Sequence, residues 1–487
     1  MRRWLVPLVL LLLTGSSAAI ALRPLKAGDS GDEDHSPLRL PVLSARRVPG
    51  VVSTLVSDTR LRTDLEQVLA NPTLAAGRDR SCLVVRQAGR QVFARRPSDR
   101  LVPASTMKVL TAHAVLRKLG AEETFVTEVR TTGPVGPGGV VTGPLWLVGG
   151  GDPVLATADF AVSPPTEPQV RTSFEALADA LVAGGVRQVV GGVVGDETRY
   201  DVQRFIPTWK STYLTSGQVG PISALNVNHG FVSLGPSAAF ASQPDVVAAG
   251  ALTNLLRARG VVVTGGPAEG AAPPGASVVA RVASPPVREV VGAMLRHSDN
   301  LAAELMLKEL GYRFAGDGST AGGMRVLRDT LGSTGLPVAE LSAVDGSGLD
   351  RSDQASCNLL LSAVEAGGPS GPMAAGFPVA GRSGTLAQRF SATNPATGRL
   401  RAKTGSLDNV TGLAGYVDPA GGGQALAFAL LANEVPNDGV GRALQEQVGA
   451  VLARYPQGPS PPALASSTGP QAGTSRTPLL APPRPAG

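Results

Sequence analysis

The apolar positions of the chain change their period several times, and those changes divide it. An unbroken apolar run from Trp4 to Leu13 comes first, then a polar, Pro/Gly-rich stretch, "KAGDSGDEDHSPLRLPVLSARRVPG". Beyond it, "SCLVV" and "RQVFARR" alternate about a short turn, the pattern of a β-hairpin. The Ala/Leu/Val run that Pro103 opens and Gly120 closes has helical spacing. A Val/Gly-rich middle, "GGVVTGPLWLVGGGDP" through "RQVVGGVVGDETRYD" and "ASVVARVAS", reads as short strands between turns, with one helical stretch at 173–182. Helical period returns at "REVVGAMLRHSDNLAAELMLKELG". Strands follow at "GRLRAKTGS", "VTGLAGYVD" and "QALAFALLANE", and "VGRALQEQVGAVLARY" is a last helix. From Gln457 the tail is rich in Pro, Ser, Ala and Gly and holds too little apolar surface to fold. The expected organisation is a discontinuous α/β (α+β) lobe built from residues 52–134 and 286–456, interrupted by a mostly β inserted region at 135–285. Residues 22–51 are expected to be a disordered spacer and 457–487 a disordered tail.

Composition adds limits. At 487 residues the chain exceeds one ordinary core, and 60 Gly with 40 Pro imply many loops around the globular parts. The net charge of +6 is spread over scattered arginines with only 4% aromatics, so no basic, aromatic-interleaved strip suits a nucleic acid. A weak attraction to anionic wall polymers or lipid headgroups is the milder consequence. The opening "MRRWLVPLVLLLLTGSSAAIALRP" has a positive start, an apolar run and Ala19-Ile20-Ala21 as an A-x-A cleavage site, which makes 1–21 an export signal. Left uncut, the same segment is nearly long enough to be a membrane anchor. Either way the body is expected to work outside the cytoplasm, at the extracytoplasmic face of the cell membrane, in the periplasm or in the cell wall. Cys82 and Cys357 form no C-x-x-C pair and are read as buried thiols or one optional bridge.

The candidate chemistry begins with a scarcity. Lys26, Lys108, Lys118, Lys210, Lys308 and Lys403 are all the lysines, against 38 arginines. Buried lysine can lose its proton and act as a base, whereas arginine cannot, so a chain that otherwise prefers arginine has a chemical reason to keep lysine at a reacting centre. Lys108 stands three residues after Ser105 at a helix start, close enough for the amine and the hydroxyl to converge as base and nucleophile. Alone the pair is weak evidence, since a serine three residues before a lysine arises by chance about half a time in such a chain. Two further stretches add to it: Ser298-Asp299-Asn300 at another helix start, and Lys403-Thr404-Gly405 at a strand end. A chance K-T-G is much rarer, about 0.06 per chain. His35, His113, His229 and His297 lie far apart without ligand spacing, and there is no G-x-S-x-G and no Walker A. No metal or cofactor is therefore expected.

S-x-x-K, S-D-N and K-T-G in this order resemble the set shared by class A β-lactamases and penicillin-binding proteins. The 193 residues between Ser105 and Ser298 leave room for an inserted domain, as in the low-molecular-mass class C penicillin-binding proteins, the D-alanyl-D-alanine carboxypeptidase/endopeptidases. "LVGGGDPVL" and "DGSGLDRSD" agree with that family, although Asp350 stands where it usually has serine. The resemblance covers about Thr54 to Arg454 and implies a penicillin-binding/serine β-lactamase-like transpeptidase lobe. It implies that Ser105 attacks the carbonyl between the terminal D-alanines of a peptidoglycan stem peptide, with Lys108 as base, Ser298 as proton relay and Asn300 holding both Lys108 and the substrate amide. Burial and the charge of Lys403 are both expected to depress the pKa of Lys108. Lys403 and Thr404 would bind the terminal carboxylate, or that of an inhibiting β-lactam. Gly405 would let the strand approach the acyl chain, and the N–H groups of Ser105 and Ser406 would hold the oxyanion. Asp299 is read as an N-cap or surface residue, Asp345 and Asp152 as turn residues, and Trp209 and Tyr213 as glycan-stacking or core residues.

Two other readings carry the same residues: a secreted β-lactamase-like hydrolase, and an inactive wall- or β-lactam-binding protein. The class A deacylation device is a glutamate closely followed by asparagine, and none of Glu304, Glu309, Glu340 and Glu365 has asparagine three or four residues on. The intact Ser105, Lys108, Ser298, Asn300 and Lys403 speak against an inactive site.

Overall fold

The computed structural model describes residues 48–72, 79–160, 167, 169–233 and 239–459. The expected export signal, most of the spacer and the tail beyond Pro459 lie outside the described residues. In chain order the helices that matter are α1 (Val48–Leu69), α2 (Lys108–Lys118), α3 (Phe174–Ala183), α4 (Pro244–Ala258), α5 (Val287–His297), α6 (Asn300–Ala315), α7 (Thr320–Ser333), α8 (Cys357–Gly367) and α9 (Asp438–Arg454). The strands are β1 (Ser81–Gln87), β2 (Arg90–Arg95), β3 (Val126–Thr131), β4 (Leu145–Val148), β5 (Val193–Asp196), β6 (Ala268–Glu269), β7 (Ser277–Ala283), β8 (Leu400–Leu407), β9 (Val410–Val417) and β10 (Leu426–Asn433).

The central sheet runs β8-β9-β10-β1-β2, antiparallel throughout, so strands from both ends of the chain meet where Ser81–Gln87 pairs with Leu426–Ala432. Period-2 alternation buries both of its faces. Leu83, Val85, Leu413 and Phe428 face Leu61 and Leu65 of α1 and Val448 and Leu452 of α9. Val84, Ala414, Ala429 and Leu431 face the helical side, with Val109 and Leu110 of α2 and Leu360 of α8. Residues 108–115 of α2 are all buried, so this helix is enclosed on every side and its first residue, Lys108, has no solvent exposure. A disulfide joins Cys82 on β1 to Cys357 at the start of α8, which decides between the two readings of those cysteines.

Two expected boundaries need correction. Residues 48–51, assigned to the spacer, form the first turn of α1, because Leu61, Leu65 and Leu69 dock the later turns on the sheet and the helix continues outward from them. Strands outnumber helices in the inserted region, as expected, but it holds a second long helix besides the one at 173–182. Its sheet, β6-β5-β4-β3-β7, mixes parallel and antiparallel pairs and is covered by α3 and α4, whose Phe174, Leu177, Leu181, Ala248, Leu252 and Leu256 fill a core of their own. α4 is unexpected because its Ala-rich "PDVVAAGALTNLLRA" lies in a Val/Gly-rich stretch. β3 belongs to this sheet by pairing with β4 and β7, so the region starts before residue 135. It meets the central lobe through a fourth core of Tyr200, Ile206, Trp209 and Ile222 against Leu301, Leu305 and Leu349.

Candidate active site

Ser105 lies on a 3-10 turn, Ala104–Met107, that runs directly into α2. Two glycines press on this turn. Ala104 takes a positive φ of 47°. Gly348 sits so close that a Cβ there would stand 1.9 Å from the Ala104 carbonyl oxygen, and its own φ is +79°. Gly405 on β8 approaches from the other side, where a Cβ would lie 2.7 Å from Pro103 O and 3.2 Å from Thr106 N. The missing side chain of Gly405 lets β8 meet the turn that carries Ser105, the nearest atom being the backbone oxygen of Pro103.

Lys108 Nζ donates to Ser105 Oγ at 3.0 Å, to Asn300 Oδ1 at 2.6 Å and to the Ser347 carbonyl at 2.7 Å. Across the cavity Lys403 Nζ donates to Ser298 Oγ at 2.9 Å and to Thr404 O at 2.8 Å. Thr404 Oγ1 pairs with Thr385 Oγ1 at 2.9 Å. The 193 residues that separate Ser105 from Ser298 close into one site because α5 ends at Ser298, which turns left-handed (φ 61°), and α6 begins at once with Asn300. Asp299 caps α6 by accepting from Ala302 N at 3.0 Å, which decides for its N-cap reading. Ser406 lines the cavity on edge strand β8, where alternate N–H groups point away from the neighbouring strand. All eight expected residues, Ser105, Lys108, Ser298, Asn300, Lys403, Thr404, Gly405 and Ser406, thus converge. Ser105, Ser298, Asn300, Thr404, Gly405 and Ser406 border an open cavity of about 1240 Å³, and Lys108 and Lys403 are bonded to residues of its wall.

Electrostatics follow from burial. Lys108 and Lys403 are fully buried, and desolvation disfavours their charged forms. Lys108 is lowered to about 8, with the carboxylates of Asp345, Glu304 and Asp299 pulling the other way. Lys403 is pushed far below the usual lysine value, first by burial and then by the charge of Lys108. Repulsion between the two amines disfavours charging both at once.

Sequence reasoning missed the supports. Asn300 Nδ2 donates to Gln218 O of the inserted region at 2.7 Å, so one of its two N–H bonds is already used and one remains. Trp209 is buried and gives its indole N–H to Asp345 Oδ2 at 2.8 Å, which makes it a junction residue and no glycan platform. Tyr213 does line the cavity. Asp345 also accepts from Gly348 N and Asp350 N, and Asp152 accepts from Val154 N, both as turn residues. Asp350, where a serine was expected, accepts from Ser352 and from the Thr208 hydroxyl. Two histidines border the cavity beside acids: His229 Nε2 is 3.4 Å from Asp299, and His297 Nε2 is 3.5 Å from Glu167. Among the described residues no helix is long and apolar enough to cross a membrane, and no group of acids, histidines and cysteines is arranged to hold a metal.

Comparison with known proteins completes the description. The D-Ala-D-Ala carboxypeptidase 3 (S13) family matches the chain over residues 61–239 and 233–455. The chain belongs to that family. With it come the low-molecular-mass class C penicillin-binding proteins. The D-alanyl-D-alanine carboxypeptidase of Actinomadura sp. (strain R39) is 28% identical over 85% of this chain and 88% of its own. Carboxypeptidase DacB of Mycolicibacterium smegmatis is 30% identical over 91% of this chain and 95% of its own. Penicillin binding protein 4 of Haemophilus influenzae shares the fold, with a TM-score of 0.64 at 21% identity over 76% of this chain and 94% of that one.

Proposed function

We propose that the protein is an exported serine DD-peptidase that cleaves the D-alanyl-D-alanine bond of peptidoglycan stem peptides through an acyl-enzyme, and that β-lactams acylate the same serine. The observation that carries this reading is the 3.0 Å contact between a fully buried amine, Lys108 Nζ, and Ser105 Oγ at the cavity wall. Ser105 attacks the penultimate D-alanine carbonyl while Lys108, neutral once its depressed pKa is passed, accepts the hydroxyl proton. Lys403 and Thr404 receive the terminal carboxylate, whose charge favours the ammonium form of Lys403 that burial otherwise suppresses. Ser298, bonded to Lys403, passes the proton to the departing amine. Asn300 steadies Lys108 with Oδ1 and offers its remaining N–H to the peptide. The N–H groups of Ser105 and Ser406 bind the developing oxyanion, each such donor being worth about 3 kcal/mol of barrier. Water then frees the acyl group. The same chemistry applied to a crosslinked strand is endopeptidase activity. Export rests on the N-terminal signal of the sequence.

Labelling with fluorescent penicillin tests the proposal: the wild type takes a covalent label and Ser105→Ala does not. No stable label on the wild type, or equal label on the variant, would sink it. Digestion of monomeric and crosslinked muropeptides then separates carboxypeptidase from endopeptidase action.

A further inference from the structure

Behind Lys108, away from the cavity, stand three carboxyl side chains with no solvent exposure: Glu304, Asp345 and Asp353. None of them lines the cavity. Asp345 is held by the N–H groups of Trp209, Gly348 and Asp350, and Asp353 accepts from Val344 N and leans on Asp345. Glu304, one turn into α6 from Asn300, is the one of the three that holds the backbone to which Lys108 donates. Its Oε1 accepts from Gly346 N at 3.1 Å and from Ser347 N at 2.7 Å, while its buried Oε2 has no hydrogen-bond partner. The same stretch of backbone is gripped from α2: Thr111 donates to Gly346 O at 2.7 Å, and Lys108 donates to Ser347 O at 2.7 Å.

We propose that Glu304 is a positioning residue for Lys108: Oε1 fixes the Gly346–Ser347 backbone that orients the amine toward Ser105, and the charge on the carboxyl sets how readily that amine gives up its proton. The inference rests on the reading that Ser105 is acylated with Lys108 as base. An ionised Glu304 would leave Oε2 bare in a dry interior, which is costly. Burial and the charge of Asp345 accordingly push the Glu304 carboxyl well above the usual range. Glu304 and Lys108 give up their protons over the same pH range, so Glu304 is neutral to Lys108 below it and, as it ionises, draws Lys108 toward the idle ammonium form; a neutral glutamine removes that pull. The other charged groups facing the pair are Asp345 and Asp299, which favour the ammonium, and Lys403, whose own proton Lys108 repels. Lys308, the next lysine along α6, is taken by Asp201.

The test is the rate of Ser105 acylation by fluorescent penicillin from pH 5.5 to 9 in wild type, Glu304→Gln and Glu304→Ala, with melting temperatures alongside. Glutamine keeps an oxygen for the two N–H donors and carries no charge. Glu304→Gln is expected to acylate within about threefold of wild type at pH 8, with the acidic limb of its profile moved down by about 0.5–1 pH unit. Glu304→Ala, which releases the backbone, is expected to lose about tenfold or more at every pH. An unmoved limb in Glu304→Gln overturns the proposal, as does wild-type acylation by Glu304→Ala. A purely structural glutamate would lower rate and melting temperature together and leave the limb in place. Should the alanine variant not fold, the glutamine profile decides alone. An unlabelled wild type would remove the reading beneath the proposal, an outcome distinct from an unmoved limb.

Discussion

Replacing Gly405 with alanine probes the contact on which the site is built. The new Cβ would stand 2.7 Å from Pro103 O, 3.1 Å from Thr106 Cγ2 and 3.2 Å from Thr106 N. Two of these neighbours are backbone, so no side chain can swing away, and the turn must move by a sizeable fraction of an ångström to reach ordinary van der Waals separation. Such overpacking costs about 1–3 kcal/mol. The displaced segment carries Ser105, whose hydroxyl is held 3.0 Å from Lys108, while Lys108 stays anchored by Asn300 and Ser347. Misplacement on that scale reduces a positioned reaction by about 10²-fold. Two measurements on Gly405→Ala are needed: the second-order rate of penicillin acylation and the melting temperature. Both are expected to fall. A melting temperature equal to wild type with acylation lost would mean that the glycine makes room for the substrate and not for the turn. Acylation unimpaired would refute the packing argument outright.

Three further outcomes are expected. Acylation should climb about tenfold per pH unit up to about pH 8 and then level off, because Lys108 must be neutral to accept the proton and its pKa lies near 8; a flat profile from pH 6 to 9 would remove it as the base. Serine at Cys82 and Cys357, or reduction of the wild type, should lower unfolding stability by about 2–4 kcal/mol, read from denaturant curves with and without reductant; coincident curves would contradict a structural bridge. Asp353, whose pKa is raised far above the carboxylate range by burial and by Asp345, keeps in the folded state a proton that the unfolded chain releases near pH 4. Wild-type stability should therefore fall as pH rises from that range toward the folded pKa. Asp353→Asn is expected to flatten the fall between pH 6 and 9, and an unchanged slope would show that the proton is not held there.

What the sequence makes legible follows the range of the interactions involved. Ser105 and Lys108 sit within one helical turn, so their spacing alone brings them together. The convergence of Ser298, Asn300 and Lys403 on that pair spans hundreds of residues, and only resemblance to a known family anticipates it. The supports had no local signal. Nothing in "RHSDNLAAEL" tells that Glu304 reaches the backbone of Gly346 and Ser347, and nothing near Gln218 marks its carbonyl as a partner for Asn300. Gly405 was recognised as needing to lack bulk, but what it lacks bulk for depends on a neighbour 300 residues earlier. The helix α4 was hidden by its surroundings, since alanine and glycine in a valine-rich stretch weaken both periodic patterns.

The bridge between Cys82 and Cys357 lies at 275 residues' separation, with one cysteine ahead of the whole inserted region and the other after it. Everything from the first strand of the central sheet to the start of α8 is thus a closed covalent loop. A protease that nicked any exposed turn of the inserted region would leave both halves of the sheet, and with them Ser105 and Lys403, tethered in one molecule. Damage there would be invisible on a non-reducing gel and apparent on a reducing one.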